Sequence, residues 1–432
     1  MKGCFNMSEY IIEGGQRLYG ECSVQGAKNS ALPILAAAIL CDGVNVIHNC
    51  PDISDVQATM NILSCLGCSV SREGGTVTVD SSVITSDEIP DTLMREMRSS
   101  VIFLGAILAR TGTALLSAPG GCEIGLRPID LHLDAVKKLG ADVSEEFGRI
   151  KCSAPDGLKG AKILLSFPSV GATENIMIAA STARGSTVIM NAAREPEISD
   201  LADFLNRCGA RVSGAGEGTI TVEGVKKLNA TTHTVIPDRI AAATYMCAAA
   251  ITHGKVRLNN IIPAHLGPVI GVLEDAGCTV EAHCRSLIIT GPPVLKTVKM
   301  IRTMPYPGFP TDIQAPTAAM LSVAEGTGVI IETIFENRYK YIGELTRLGA
   351  KIRVDGRMAV IEGVKELYGA KVNAPDLRGG AALILAGLKA QGETTVVDMK
   401  HIERGYESPE KVLQQLSAKI KRIEDNGQTQ SE

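Results

Sequence analysis

The chain has 432 residues, 45% hydrophobic and 21% charged, which is an ordinary globular composition with ample core for two or three domains. Lys and Arg number 43 against 47 Asp and Glu, so the net charge is −4. That balance argues against nucleic acid as the main partner, and the absence of Trp with only 8 Tyr and 7 Phe argues against a base-stacking surface. Apolar runs such as 101–109 and 241–251 fall well short of the ~20 residues of a membrane helix, and the N-terminal stretch carries Glu9 and Glu13 in place of an apolar export segment. The twelve scattered cysteines then read as reduced thiols, and a cytoplasmic protein with no membrane partner is expected.

In chain order the predicted elements repeat. An Ala-rich helix over 29–40 is followed by a polar amphipathic helix over 54–66 and by two strands, 69–73 and 76–80, around Gly74-Gly75. The same series recurs with Ala-rich helices over 172–183 and 240–251, a strand over 186–190 and a second amphipathic helix over 266–276. Six amphipathic segments end in similar marks: Leu66-Gly67-Cys68, Leu139-Gly140-Ala141, Cys208-Gly209-Ala210, Ala276-Gly277-Cys278, Leu348-Gly349-Ala350 and Leu416-Ser417-Ala418. The spacings from Gly67 to Ser417 are 73, 69, 68, 72 and 68 residues, and Gly is the residue expected where a helix ends in the left-handed conformation.

The unit is thus about 70 residues of α/β structure, close to βαβαββ. The sixth lacks its last strand, and 9–14 resembles the second hairpin strands 358–363 and 219–224, so the N-terminus is expected to complete the C-terminal unit. The Ala-rich helices, small on every face, are expected inside, three to a globule, with the strands outside. The expected domains are 27–236, carrying the loop around Cys122, and 237–432 with 1–26.

Polar groups open every inner helix: Lys28-Asn29, Arg98-Ser99, Ser169 to Thr173, Asp238-Arg239, Thr311-Asp312 and Asp376 to Arg378. Ser and Asp there are natural N-caps. Lys28, Arg98 and Arg378 are not, because a cation is disfavoured at the positive end of a helix dipole, and they point to a shared anion. The short-strand-to-helix loops should lie beside these openings, gathering polar groups at one end of each globule and facing a cleft between the two. One of these loops, 118–128, holds three Gly, Cys122 and Arg127. A thiol near a cation deprotonates below the usual ~8.5 and suits acid/base work on a mobile lid, while an idle surface thiol is the plain alternative.

Other signals are weaker. Cys65 and Cys68 flank the helix stop Leu66-Gly67 and read as core residues rather than a zinc or dithiol site. The Gly-rich 214–218 falls at a hairpin turn, 26–30 lacks the spacing of a phosphate-binding loop, and no His spacing suggests a metal.

Gly26 to Pro33, Pro119 to Pro128, Ser169 to Thr173, Asn191 to Glu197, Phe309 to Asp312, Phe335 to Arg338 and Arg404 to Glu407 together resemble the enolpyruvyl transferases, in order along nearly the whole chain. The resemblance implies an inside-out α/β barrel, with two globular domains of three βαβαββ units each. It implies a cofactor-free reaction in which the 3-hydroxyl of UDP-N-acetylglucosamine adds to phosphoenolpyruvate (PEP) and phosphate leaves, the first committed step of peptidoglycan synthesis. It makes Cys122 the proton donor and the target of fosfomycin, and Asp312 the base. It gives PEP to Lys28, Asn29, Arg127 and Arg404, of which Lys28 and Arg404 count as catalytic. It gives the UDP-sugar to Arg98, Arg127, Pro128, Ile129, Asp130, Leu131, Ser169, Val170, Gly171, Asp312 and Ile334. Where some members carry a Lys before the Ser169 stretch this chain has Phe167, so the nucleotide phosphate should lean on backbone N–H groups. Rival expectations are a relative that uses shikimate 3-phosphate, which lacks the Cys-bearing loop, a non-catalytic UDP-sugar-binding regulator, and an RNA-end-processing enzyme, which the acidic charge opposes.

Overall fold

The computed structural model describes residues 8–117 and 129–424. These fall into two units, one of residues 25–117 and 129–237, the other of 8–24 and 238–424.

Each unit holds three inner helices: Lys28–Ala37, Phe103–Thr111 and Val170–Ala180 in the first, Arg239–Ile251, Gln314–Leu321 and Leu377–Lys389 in the second. Within each unit the three pack against one another. Alanine is what permits it, because small side chains on all faces let helix axes approach closely and still exclude water. In Lys28–Ala37 every residue but Asn29 is buried. Gly105 marks a close approach between two inner helices of the first unit. A Cβ there would sit 2.3 Å from Asn175 Oδ1 on the neighbouring inner helix.

Four-stranded sheets enclose these helices, three to a unit among the described residues. The sheet of 162–164, 186–190, 219–223 and 211–213 shows the pattern. Its first two strands run parallel and the inner helix Val170–Ala180 connects them, while the other pairings are antiparallel. Along Thr219–Glu223 buried residues alternate with exposed or half-buried ones, as expected of a sheet with one face on the core.

The six helix stops behave as one device. Gly67, Gly140, Gly209, Gly277 and Gly349 have φ between +93° and +105°, and Ser417, the exception in the sequence, still adopts +68°. Expected helices, inner and outer, shorten at their ends. The 29–40 segment becomes Lys28–Ala37 plus a tight turn at Ala38–Leu40, and 266–276 becomes Gly267–Asp275 after a similar turn.

Strand Glu9–Glu13 inserts between Glu393–Val397 and Lys419–Ile423, antiparallel to both, and supplies the strand that the sixth repeat lacks. Two closures have no counterpart in the sequence reading. Tyr19–Ser23 lies parallel to Lys255–Asn259 and opens the fourth repeat, while Thr232–Thr234 lies parallel to Val44–His48 and opens the first.

Candidate functional site

In the first unit the inner-helix starts meet the starts of outer helices. Lys28 is the first residue of its helix, and its ammonium lies 2.5 Å from the carboxylate of Asp55, the second residue of the outer helix Ser54–Cys65. Both side chains are buried, at 10% and 2% exposure. The expectation that a cation at a helix start needs an external anion is therefore incomplete, because Asp55 already balances it. Two residues on, Ser30 donates to buried Asp200, which also accepts from His233 Nε2 at 2.9 Å and from the Ile236 backbone N–H.

The third inner helix begins at Ser169, whose hydroxyl accepts from the Ala172 N–H at 3.3 Å. Val170 and Gly171 form its first turn, and a Cβ on Gly171 would lie 3.3 Å from the His132 ring. Asn175 anchors that ring, giving one amide N–H to the Val101 carbonyl at 2.9 Å and approaching His132 Nδ1 at 2.8 Å. Its oxygen accepts from the Gly105 N–H at 2.6 Å. With both amide hydrogens directed outward, Nδ1 must accept, which places the ring proton on Nε2. Burial lowers the His132 pKa to about 4, so the ring is neutral. Ile129, Asp130 and Leu131 open the outer helix that carries His132. Phe167 is exposed and its carbonyl accepts from the Ser169 N–H. Glu174, one turn further along, is buried, and desolvation with Glu197 and Glu195 nearby raises its pKa well above the carboxylate range.

In the second unit Asp312 sits in the tight turn Thr311–Ile313 ahead of its inner helix. Two guanidiniums hold its carboxylate: Arg338 Nη2 at 2.7 Å and Arg378 Nη2 at 3.1 Å, with both Arg side chains at 5% exposure or less. Burial would lower Arg378, but Asp312, Tyr406 and Asp238 outweigh it and hold it above the ordinary arginine value. Arg338 stacks over Phe335 and Arg378 over Tyr406, with centroid distances of 5.5 and 5.4 Å. Asp376 caps the helix that carries Arg378, and Asp238 caps the first inner helix of the unit, Arg239–Ile251, accepting from the Ile240 and Ala241 N–H groups. Buried Glu332 accepts from the Ile334 and Phe335 N–H groups and from the Thr303 and Thr311 hydroxyls, which fixes the loop containing Ile334. Arg404 is half-buried in the turn after Met399–His401.

Lys28, Asn29, Ile129 to Leu131 and Ser169 to Gly171 thus belong to the first unit, and Asp312, Ile334 and Arg404 to the second. Arg98 opens the tight turn Arg98–Ile102 before the second inner helix. Cys122, Arg127 and Pro128 lie outside the described residues, between strand Thr113–Ser117 and helix Asp130–Lys138. Asp55, His132 and Asn175 escaped the sequence reading, and so did the pairing of Arg338 and Arg378 with Asp312. The available signal was a chemical one, since each buried charge at a helix start requires an opposite charge nearby. Cys65 is half-buried, and Cys68 is buried, where desolvation pushes its thiol up to about 11, away from the character of a reactive thiolate.

Residues 12–413 match the family described as EPSP synthase (3-phosphoshikimate 1-carboxyvinyltransferase). UDP-N-acetylglucosamine 1-carboxyvinyltransferase 2 of Caldanaerobacter subterraneus subsp. tengcongensis is 54% identical, over 96% of this chain and 100% of its own length. UDP-N-acetylglucosamine 1-carboxyvinyltransferase 1 of Symbiobacterium thermophilum is 51% identical, over 96% of this chain and 95% of its own. The enolpyruvyl transferase NikO from Streptomyces tendae superposes with a TM-score of 0.88 at 27% identity, covering 97% of this chain and 100% of that one. An EPSP synthase from Acinetobacter baumannii superposes with a TM-score of 0.75 at 20% identity, covering 96% and 100%, and shows the shared fold.

Proposed function

The chain belongs to the EPSP synthase family of carboxyvinyl transferases, and from that premise we propose that it transfers the enolpyruvyl group of PEP to the 3-hydroxyl of UDP-N-acetylglucosamine, releasing phosphate. The observation that carries the choice of acceptor is the near-full-length identity of 49–54% to relatives named for the UDP-sugar reaction. The step belongs to peptidoglycan precursor synthesis.

In the proposed reaction the sugar hydroxyl oxygen bonds to C2 of PEP while its proton passes to Asp312, and Cys122 protonates C3. The resulting tetrahedral adduct loses phosphate and a C3 proton to leave the enol ether. Asp312 suits a base because Arg338 and Arg378 fix its orientation. Buried Nε of Arg338 and Nη1 of Arg378 have no hydrogen-bond partner among the described residues. Lys28, Asn29, Arg127 and Arg404 are assigned to PEP. Arg98, Arg127 to Leu131, Ser169 to Gly171, Asp312 and Ile334 are assigned to the UDP-sugar. Neutral His132, with its Nε2–H beside Gly171, adds an uncharged donor at that helix start. The domains are read as 27–236 and 237–432 with 1–26.

The deciding experiment is a coupled phosphate-release assay with purified protein, PEP and each acceptor. Release that requires UDP-N-acetylglucosamine supports the reading. Release with shikimate 3-phosphate overturns it in favour of the other acceptor, and silence with both overturns enzymatic transfer.

A further inference from the structure

The inner helices of the first unit start at Lys28, at the turn after Arg98 and at Ser169, and they end around a surface pocket of about 580 Å³. At about 1.5 Å per residue, the run from Lys28 to Leu40 separates the pocket from the helix starts by roughly 18 Å. Leu40, the segment from Leu108 to Gly112, and Thr182 with Arg184 bring the three helix ends to its wall. Arg110, Arg184, Lys226 and Lys227 line it, against one acid, Asp42, among the described residues.

Two ordinary explanations do not account for these cations. Cations often neutralise helix C-termini, but here one hydroxyl near each helix end already adds a donor to a last-turn carbonyl. Ser81 Oγ lies 2.7 Å from the Ala38 oxygen, Thr111 Oγ1 donates to Ile107 at 2.8 Å, and Ser181 Oγ donates to Met177 at 2.8 Å. Ion pairing accounts for only part, since Lys227 lies 2.8 Å from Asp42 and Arg110 gives one N–H to the Ser81 carbonyl at 3.2 Å. Arg184 and Lys226 make no ion pair with any carboxylate among the described residues. With roughly half a negative charge for each of three helix ends, the pocket still carries about +1.5, on a chain whose net charge is −4. A concave wall focuses such a field.

Among the described residues no aromatic side chain lines the pocket, so an occupant would be held by charge rather than by stacking a ring. Arg forks and Lys point charges suit phosphate oxygens, and the volume falls within the range of about 300–1,000 Å³ typical of small-molecule sites. We propose that this pocket is a second binding site, separate from the inner-helix starts, for a compact small molecule bearing two or more linked phosphates.

The test is equilibrium dialysis of the full chain with labelled inorganic pyrophosphate. Arg184 and Lys226 are exposed and lie outside the proposed reaction machinery. Arg184→Glu with Lys226→Glu should weaken pyrophosphate binding at least ten-fold with the melting temperature unchanged, while Arg404→Ala should leave that binding intact. Arg184→Gln with Lys226→Gln, a gentler pair, should weaken it less but measurably. Binding should also fall as salt rises. Absence of millimolar pyrophosphate binding, binding indifferent to both double variants, or a loss confined to Arg404→Ala would each overturn the proposal.

Discussion

Replacing Asp312 by Asn keeps the shape of the side chain and removes its charge. The wild-type carboxylate stands between Arg338 and Arg378 at 2.7 and 3.1 Å. An amide offers one of these donors an oxygen and turns its own N–H groups toward the other. Removing one partner of a buried ion pair costs about 3–5 kcal/mol, and because Asp312 keeps 27% exposure the lower figure applies. In a unit of roughly 200 residues, 1 kcal/mol corresponds to about 2–4 °C, so the second unit should melt about 6–12 °C lower. Scanning calorimetry of the full chain reads that shift. Phosphate release with UDP-N-acetylglucosamine should fall about 10²–10⁴-fold, the span of a general base. A melting temperature within about 2 °C of wild type would refute the buried triad. Activity within about tenfold of wild type would remove Asp312 from the base role.

Asp55→Ala strands the buried Lys28 ammonium without its carboxylate, so the first unit should lose about 3–5 kcal/mol in denaturant melts and the KM for PEP should rise. The His132 pKa is depressed in the fold, so the unfolded chain takes up the proton first as pH falls. Stability from this group is complete above about 6.5, is lost between there and about 4, and totals about 3 kcal/mol. His132→Gln should flatten that dependence in urea melts at pH 5 and 7.5. Gly349→Ala meets only Tyr368 Cδ2, at 3.6 Å, but must hold φ near +98°, so it should cost about 1–2 kcal/mol, measurable as a lower denaturation midpoint. Fosfomycin should add to Cys122, detected by mass spectrometry of the peptide; Cys122→Asp should retain activity and resist, and an unmodified Cys122 in inactivated enzyme would contradict the proton-donor role.

Much of the fold was legible because its signals are local. A Gly or Ser at the end of each amphipathic segment declares a left-handed helix stop without reference to the rest of the chain, and Ser417 obeys the same rule as Gly67. Small residues on every face declare a buried helix, as in Arg239–Ile251, where every residue after Arg239 is buried. Even the inserted strand Glu9–Glu13 could be anticipated, because the sixth repeat is one strand short. The closing strand Thr232–Thr234 carries no such signal, being only three residues long.

The site was legible as residue types gathered at helix starts, but not as pairs. Lys28 and Asp55, Arg378 and Asp312, and His132 and Asn175 are each separated by tens of residues, and nothing in their flanking sequences names the partner. The chain by itself determined the repeat, the inner helices and their stops, because backbone conformation and helix burial follow from a few neighbouring residues. Tertiary structure alone decided which buried charges neutralise one another and that a basic pocket forms where three helices end, because such energies depend on distances across the fold, set only once the helices have packed.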